Sequence, residues 1–174
     1  ALTPSPSGIP GATIEPAAPV ETPLPVPDIE AASAILVDAL TGNVLLQLAP
    51  NERRYPASTT KIMTCLLACE KGNLNDTVTV TGAVLNLEQD ALIMQLAVGE
   101  EIAFKDLLYA MMLYSANDAA IAIAVHLAGS VEAFADMMNA KAQTLGMTNT
   151  QYKNPNGLHD DEHYTTAADM ALLA

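Results

Sequence analysis

Two short groups of residues hold the chemistry this chain could perform. Ser58-Thr59-Thr60-Lys61 opens an apolar run, and Ser115-Ala116-Asn117 follows inside a second one. On a helix, positions i and i+3 share a face with Cβ atoms about 5–6 Å apart, which puts Lys61 beside Ser58. A nucleophilic serine needs a base that takes its proton without leaving the site, and a Ser-Lys pair is a known alternative to Ser-His-Asp. Lys61 must be neutral to accept that proton, so its pKa has to fall from ~10.4 toward ~7, a differential stabilisation of about 4 kcal/mol. Burial and neighbouring positive charge are the expected sources, and Ile62-Met63-Thr64-Cys65-Leu66 offers the buried setting. The positive end of the helix dipole would stabilise charge developing on Ser58 Oγ and on a substrate oxyanion. Ser115 can relay a proton to a leaving amine, and the Asn117 amide can hold both the lysine and a substrate carbonyl. Taken singly, each group also has a plainer reading, with Ser58 or Thr59 as an N-cap after Pro56 and Asn117 or Asp118 as a cap on the next helix.

The elements that must position these residues follow from pattern. Thr60–Lys71 repeats its apolar residues Ile62, Met63, Leu66 and Leu67 at helical spacing, and Gly72 ends it. Phe104–Leu113 is an amphipathic helix that breaks at Tyr114–Asn117, so the Ser-x-Asn side chains can face a cleft instead of a core. Asp118–Leu127 continues as a very apolar helix that Gly129 stops. Ser130 caps a helix running to Leu145 before Gly146, and Asn154-Pro155-Asn156-Gly157 is a turn. Thr165 or Thr166 caps a last helix, Ala167–Leu173. Upstream, Ala34–Asp38 and Val44–Leu48 flank the turn-like Leu40-Thr41-Gly42-Asn43 as a hairpin, and Thr77–Val80 is a strand candidate. Residues 1–28 form a Pro/Thr-rich linker, because residues 1–27 hold eight of the eleven prolines and almost no charge, a composition that cannot pack a core. Residues 29–174 are the folded part.

Composition narrows the function classes. The formal net charge of −13 argues against nucleic acid and against an anionic membrane surface held by basic residues. No apolar run approaches the ~18 residues of a transmembrane segment, and with no basic n-region at the start, a secretion signal is read as absent or already removed. Cys65 and Cys69, at i and i+4 on one helix, read as buried thiols acting as small hydrophobes; a disulfide between them would be strained.

Four motifs in order connect the chain to a family: Pro-Ala-Ser-Thr-Thr-Lys-Ile-Met-Thr (56–64), Tyr-Ser-Ala-Asn-Asp-Ala-Ala (114–120), Asn-Pro-Asn-Gly-Leu (154–158) and His-Tyr-Thr-Thr-Ala-Ala-Asp-Met-Ala (163–171). From about Ile29 to Ala174 the chain resembles the low-molecular-mass D-alanyl-D-alanine carboxypeptidases, serine penicillin-binding proteins of the bacterial cell wall. The resemblance implies an α+β, β-lactamase/transpeptidase-like fold, with a helical subdomain and an N-terminal hairpin of an antiparallel sheet. It implies that Ser58 attacks the carbonyl between the terminal D-alanines of a peptidoglycan stem peptide, with Lys61 as general base. Ser115 then passes the proton to the departing D-alanine, Asn117 orients Lys61 and substrate, and water hydrolyses the acyl-enzyme. β-Lactams would acylate Ser58 and leave slowly. No metal or organic cofactor is implied, and the expected location is extracytoplasmic.

The family's third motif, Lys-Thr-Gly, does not occur in this sequence. In the family it lies on a strand downstream that completes the sheet and the oxyanion hole. The chain is therefore expected to be an incomplete catalytic domain with impaired turnover and an uncovered hairpin. Two alternatives stand beside the carboxypeptidase: a non-catalytic penicillin- or peptidoglycan-binding module, and a β-lactamase-type hydrolase. Against the latter, β-lactamases carry Ser-Asp-Asn where this chain has Ala116, and no Glu-x-x-Leu-Asn follows. His159 and His163, with three acids between them, allow a zinc reading, but a solvated loop after the turn is preferred. His126 reads as a packed or rim histidine, and Met111, Met112, Met137 and Met138 as core filler.

Overall fold

The computed structural model describes residues 27–87 and 91–174, so the linker expected over residues 1–28 lies almost wholly outside the described residues. Its architecture is α+β. A hairpin of β1 (Ala34–Val37) and β2 (Val44–Leu48) precedes α1 (Thr60–Lys71). A second antiparallel pair, β3 (Thr77–Thr79) and β4 (Glu101–Ala103), leads into α2 (Phe104–Tyr114), α3 (Asn117–Ala128), α4 (Val131–Leu145) and α5 (Ala167–Leu173). Strand β4 has too few residues to show alternation in the sequence. Its register, Thr77↔Ala103 to Thr79↔Glu101, is set by pairing alone.

Helix α3 is the axis of the core. Its first eight residues, Asn117 to Ala124, are all buried, and its alanines let neighbouring helices approach closely. Phe104, Leu107 and Met111 of α2 pack on one side of it with Val78 and Val80. On the other side, Met63 and Leu67 of α1 meet Phe134 and Met138 of α4, with Tyr152 and Leu173. Each such fully buried side chain contributes on the order of 1.5–3 kcal/mol. Helix α1 is thus held by its Met63/Leu67 face, with Thr60 and Lys61 of its first turn buried and Ser58, just before it, at the surface.

The glycine stops and the caps of α4 and α5 follow the sequence, with one difference at Gly72. Gly129 and Gly146 close α3 and α4 in the left-handed region, Ser130 Oγ accepts from Ala133 N, and Thr166 Oγ1 accepts from Asp169 N. Gly72, however, ends α1 in an extended conformation at φ −86°. It is needed for space, because a Cβ there would meet the Phe104 ring at 2.5 Å.

Several burial expectations change. Met111 and Met138 are core residues, but Met112 is 46% exposed, since it faces away from α3. Cys65 is half-buried against the α2–α3 core while Cys69, one turn on, is exposed, so only one thiol behaves as a small hydrophobe. The hairpin carries exposed Leu36, Val44, Leu45 and Leu48, and β1 and β2 pair only with each other among the described residues. No single described helix is long and apolar enough to cross a membrane.

Candidate active site

Ser58 lies in a 3-10 turn, Ala57–Thr59, that runs directly into α1. Neither Ser58 nor Thr59 caps the helix with its side chain; Thr59 Oγ1 donates instead to Pro56 O. The turn starts from Ala57 at φ +49°, a strained value for a residue with a Cβ. Ser58 is left exposed at the helix N-terminus, with Lys61 buried beneath it.

Lys61 Nζ has three partners: Ser58 Oγ at 3.2 Å, Asn117 Oδ1 at 2.9 Å and the main-chain carbonyl of Asn156 at 2.6 Å. All three are neutral. Burial pushes the amine down to about 8, because no nearby negative charge repays its desolvation. The expected contribution from neighbouring positive charge is not part of this shift; desolvation is its cause.

The Ser-x-Asn group sits at the junction of α2 and α3, as its helix break implied. Ser115 closes α2 in the left-handed region at φ +59°, and its hydroxyl donates to Ser58 Oγ at 3.1 Å. Ala116 is the N-cap position of α3, with Asn117 the first helical residue. Asn117 Oδ1 takes Lys61, while its Nδ2 donates to Leu92 O at 3.0 Å. Asp118 is buried and accepts from the main-chain N–H groups of Met94 and Leu96 at 3.0 and 3.1 Å. Neither Asn117 nor Asp118 caps α3, because both lie inside its first turn; Asp118 instead fastens the 92–96 segment beside Asn117. All four residues singled out in the sequence, Ser58, Lys61, Ser115 and Asn117, converge on one point.

The Asn154–Gly157 turn completes the arrangement. Pro155 O accepts from Thr64 Oγ1 at 2.6 Å and Asn156 O from Lys61, so the turn is bound along the face of α1 that carries Lys61. The sequence marked this motif as a turn without giving it a role at the site; only its quotation among the four ordered motifs hinted at one. A cavity of about 540 Å³ lies along α3 behind the turn, lined by Ile121, Val125, Pro155 and Asn156 among others; Ser58 does not reach it.

His163 departs from the solvated-loop reading. It is 2% exposed, and both ring nitrogens are engaged, by Thr60 Oγ1 at 2.8 Å and Lys153 N at 3.1 Å. Neither nitrogen is free for a metal. His159 is exposed and packs edge-on against Tyr55. His126 is a rim residue of α3, 3.2 Å from Asp76 and tilted against the Phe104 ring.

The chain as a whole has counterparts among known proteins. The family described as D-alanyl-D-alanine carboxypeptidase, peptidase family S11, matches residues 19–174. The D-alanyl-D-alanine carboxypeptidase DacF of Bacillus subtilis is 41% identical over 150 residues, covering 83% of this chain and 38% of that protein. DacC of Escherichia coli is 38% identical over 162 residues, covering 88% of this chain and 40% of that protein. Among solved structures, penicillin binding protein 5 from Haemophilus influenzae superposes with a TM-score of 0.80 at 34% identity, over 86% of this chain and 45% of that one. The chain thus spans about two fifths of the length of these curated relatives. The family match over most of the chain and the α+β fold shared with a penicillin-binding protein agree, and the chain belongs to the D-alanyl-D-alanine carboxypeptidase family.

Proposed function

We propose that this chain carries the nucleophile half of a serine D-Ala-D-Ala carboxypeptidase, with residues 29–174 forming part of its catalytic domain. The observation that carries the reading is the position of Ser58 Oγ, between Lys61 Nζ at 3.2 Å and Ser115 Oγ at 3.1 Å. Neutral Lys61 takes the Ser58 proton as Oγ bonds to the penultimate D-alanine carbonyl of a peptidoglycan stem peptide. Two of its three partners, Asn117 Oδ1 and Asn156 O, accept the two N–H bonds of a neutral amine, which turns its lone pair toward Ser58. The C–N bond to the terminal D-alanine then breaks as Ser115 hands its proton to the leaving amine and takes one in turn from the Lys61 ammonium, which returns Lys61 to its neutral form. Water hydrolyses the ester, freeing the shortened peptide and restoring Ser58. A β-lactam follows the first step by opening its ring amide on Ser58. The substrate places this chemistry outside the cytoplasmic membrane.

The test is intact-mass spectrometry after exposure to a penicillin, beside Ser58→Ala, followed by a D-alanine release assay on a peptide ending in D-Ala-D-Ala. A covalent adduct on the parent and none on the variant is the expected result. An adduct without D-alanine release would assign a binding module, and an adduct lost within seconds a β-lactamase-type hydrolase. No adduct on a folded parent would refute Ser58 as a working nucleophile in this chain.

A further inference from the structure

Residues 153–157 are tied to the start of α1 at several points. Thr64 Oγ1 donates to Pro155 O, Lys61 Nζ donates to Asn156 O, and Gly157 packs on the Ala57–Ser58 peptide. A further tie runs through His163. The N–H of Lys153 donates to Nδ1 at 3.1 Å, so Nδ1 holds a lone pair and the proton of the neutral ring is on Nε2. Nε2–H therefore donates to Thr60 Oγ1 at 2.8 Å. One buried ring thus spans from the residue before Lys61 to the residue three before Asn156.

We propose that His163 is a positioning residue for Lys61: its Nε2–H tautomer bridges Thr60 to Lys153 and so keeps the Asn156 carbonyl on the Lys61 amine. Its importance to catalysis rests on the reading of Lys61 as the base. The carbonyl does two things for that base. It is one of the acceptors that aim the lone pair at Ser58, and it stabilises the ammonium form against desolvation. A turn released from Thr60 carries the carbonyl away, leaving a buried amine with one acceptor fewer, and the pKa of Lys61 falls further. The bridge holds at neutral pH, because burial pushes His163 down to about 4 despite the opposing pull of Asp160. The Lys153 ammonium does not compete, as it is directed at Glu162, 3.0 Å away.

The experiment titrates Lys61 by NMR in the 174-residue chain and in His163→Leu, His163→Gln and Thr60→Val, each checked for folding by circular dichroism. The acylation rate constant with a penicillin is measured on the same samples. Leucine keeps volume but removes both ends of the bridge; glutamine offers an amide N–H to Thr60 and a carbonyl to Lys153. In His163→Leu and Thr60→Val the Lys61 pKa should drop by ~0.5–1 unit and acylation slow about tenfold. His163→Gln should stay near the parent in both. A packing role alone would not move the titration of Lys61. An unshifted Lys61 in folded His163→Leu or Thr60→Val overturns the proposal, as does a His163→Gln that behaves like His163→Leu. Should His163→Leu not fold, Thr60→Val decides. A parent that is never acylated refutes the base assignment, while the Lys61 titration still tests the bridge.

Discussion

Gly157 lies so close to the main chain of Ala57 that a Cβ at position 157 would collide with the Ala57 carbonyl. Gly157 is also at φ +85° and Ala57 at φ +49°, so two left-handed residues from distant parts of the chain face each other directly behind Ser58. The glycine is required twice, by its conformation and by the contact.

Gly157→Ala must therefore push Ala57 and Ser58 out of place. A stability loss of more than about 2 kcal/mol is expected, together with a penicillin acylation rate at least about tenfold lower. Thermal melts and adduct kinetics check this. Gly82→Ala, where a Cβ meets nothing within 4 Å, is the control and should leave both unchanged.

The pH dependence of acylation should follow Lys61. With its pKa lowered to about 8 by burial, the amine is an ammonium below that pH and cannot take the Ser58 proton. The rate should rise about tenfold per pH unit below 8 and level off above it. Stopped-flow acylation between pH 6 and 10 measures the limb; a flat profile would exclude Lys61 as the base. Lys61→Arg, which stays protonated throughout, should yield no adduct.

Asp118 offers a test of the segment beside Asn117. Its carboxylate accepts from Met94, Leu96 and Ala119 main-chain N–H groups. Asp118→Ala leaves these donors unpaired, with an expected cost on the order of 1–3 kcal/mol. Amide exchange over residues 92–96 should accelerate, and acylation should slow as Leu92 O no longer steadies Asn117. Unchanged exchange at Met94 and Leu96 would contradict the geometry.

His163 also predicts how stability varies with acidity. Burial lowers its folded pKa to about 4 from the ordinary histidine value of 6.5, so between those values the unfolded chain binds a proton that the folded chain refuses. Its contribution is complete above pH 6.5, declines by roughly 1 kcal/mol per pH unit as pH falls, and is exhausted near pH 4. Urea midpoints at pH 7, 6 and 5, compared with His163→Gln, isolate the effect; parallel curves would show that the ring is not buried neutral.

Legibility divides by the range of the interaction. The i, i+3 spacing of Ser58 and Lys61, the break holding Ser115 and Asn117, and the stops at Gly129 and Gly146 were all readable, because helical periodicity and capping depend on residues within a turn or two. Strand β4 escaped because Glu101-Ile102-Ala103 carries neither a period nor the β-branched run that marked Thr77–Val80. The exposure of Met112 and Cys69 and the burial of His163 escaped because their settings depend on how segments far apart in the chain pack together.

Residue types in order were thus enough to single out Ser58, Lys61 and Ser115 as the candidate nucleophile, base and relay, since helical geometry alone sets Lys61 beside Ser58. Packing decided whether that pair could work. The pKa of Lys61 depends on burial beside α3, and its aim depends on the carbonyl of Asn156, 95 positions downstream. A main-chain carbonyl leaves no mark in a sequence, because every residue has one; only the closing of the turn onto α1 selects which of them the lysine meets.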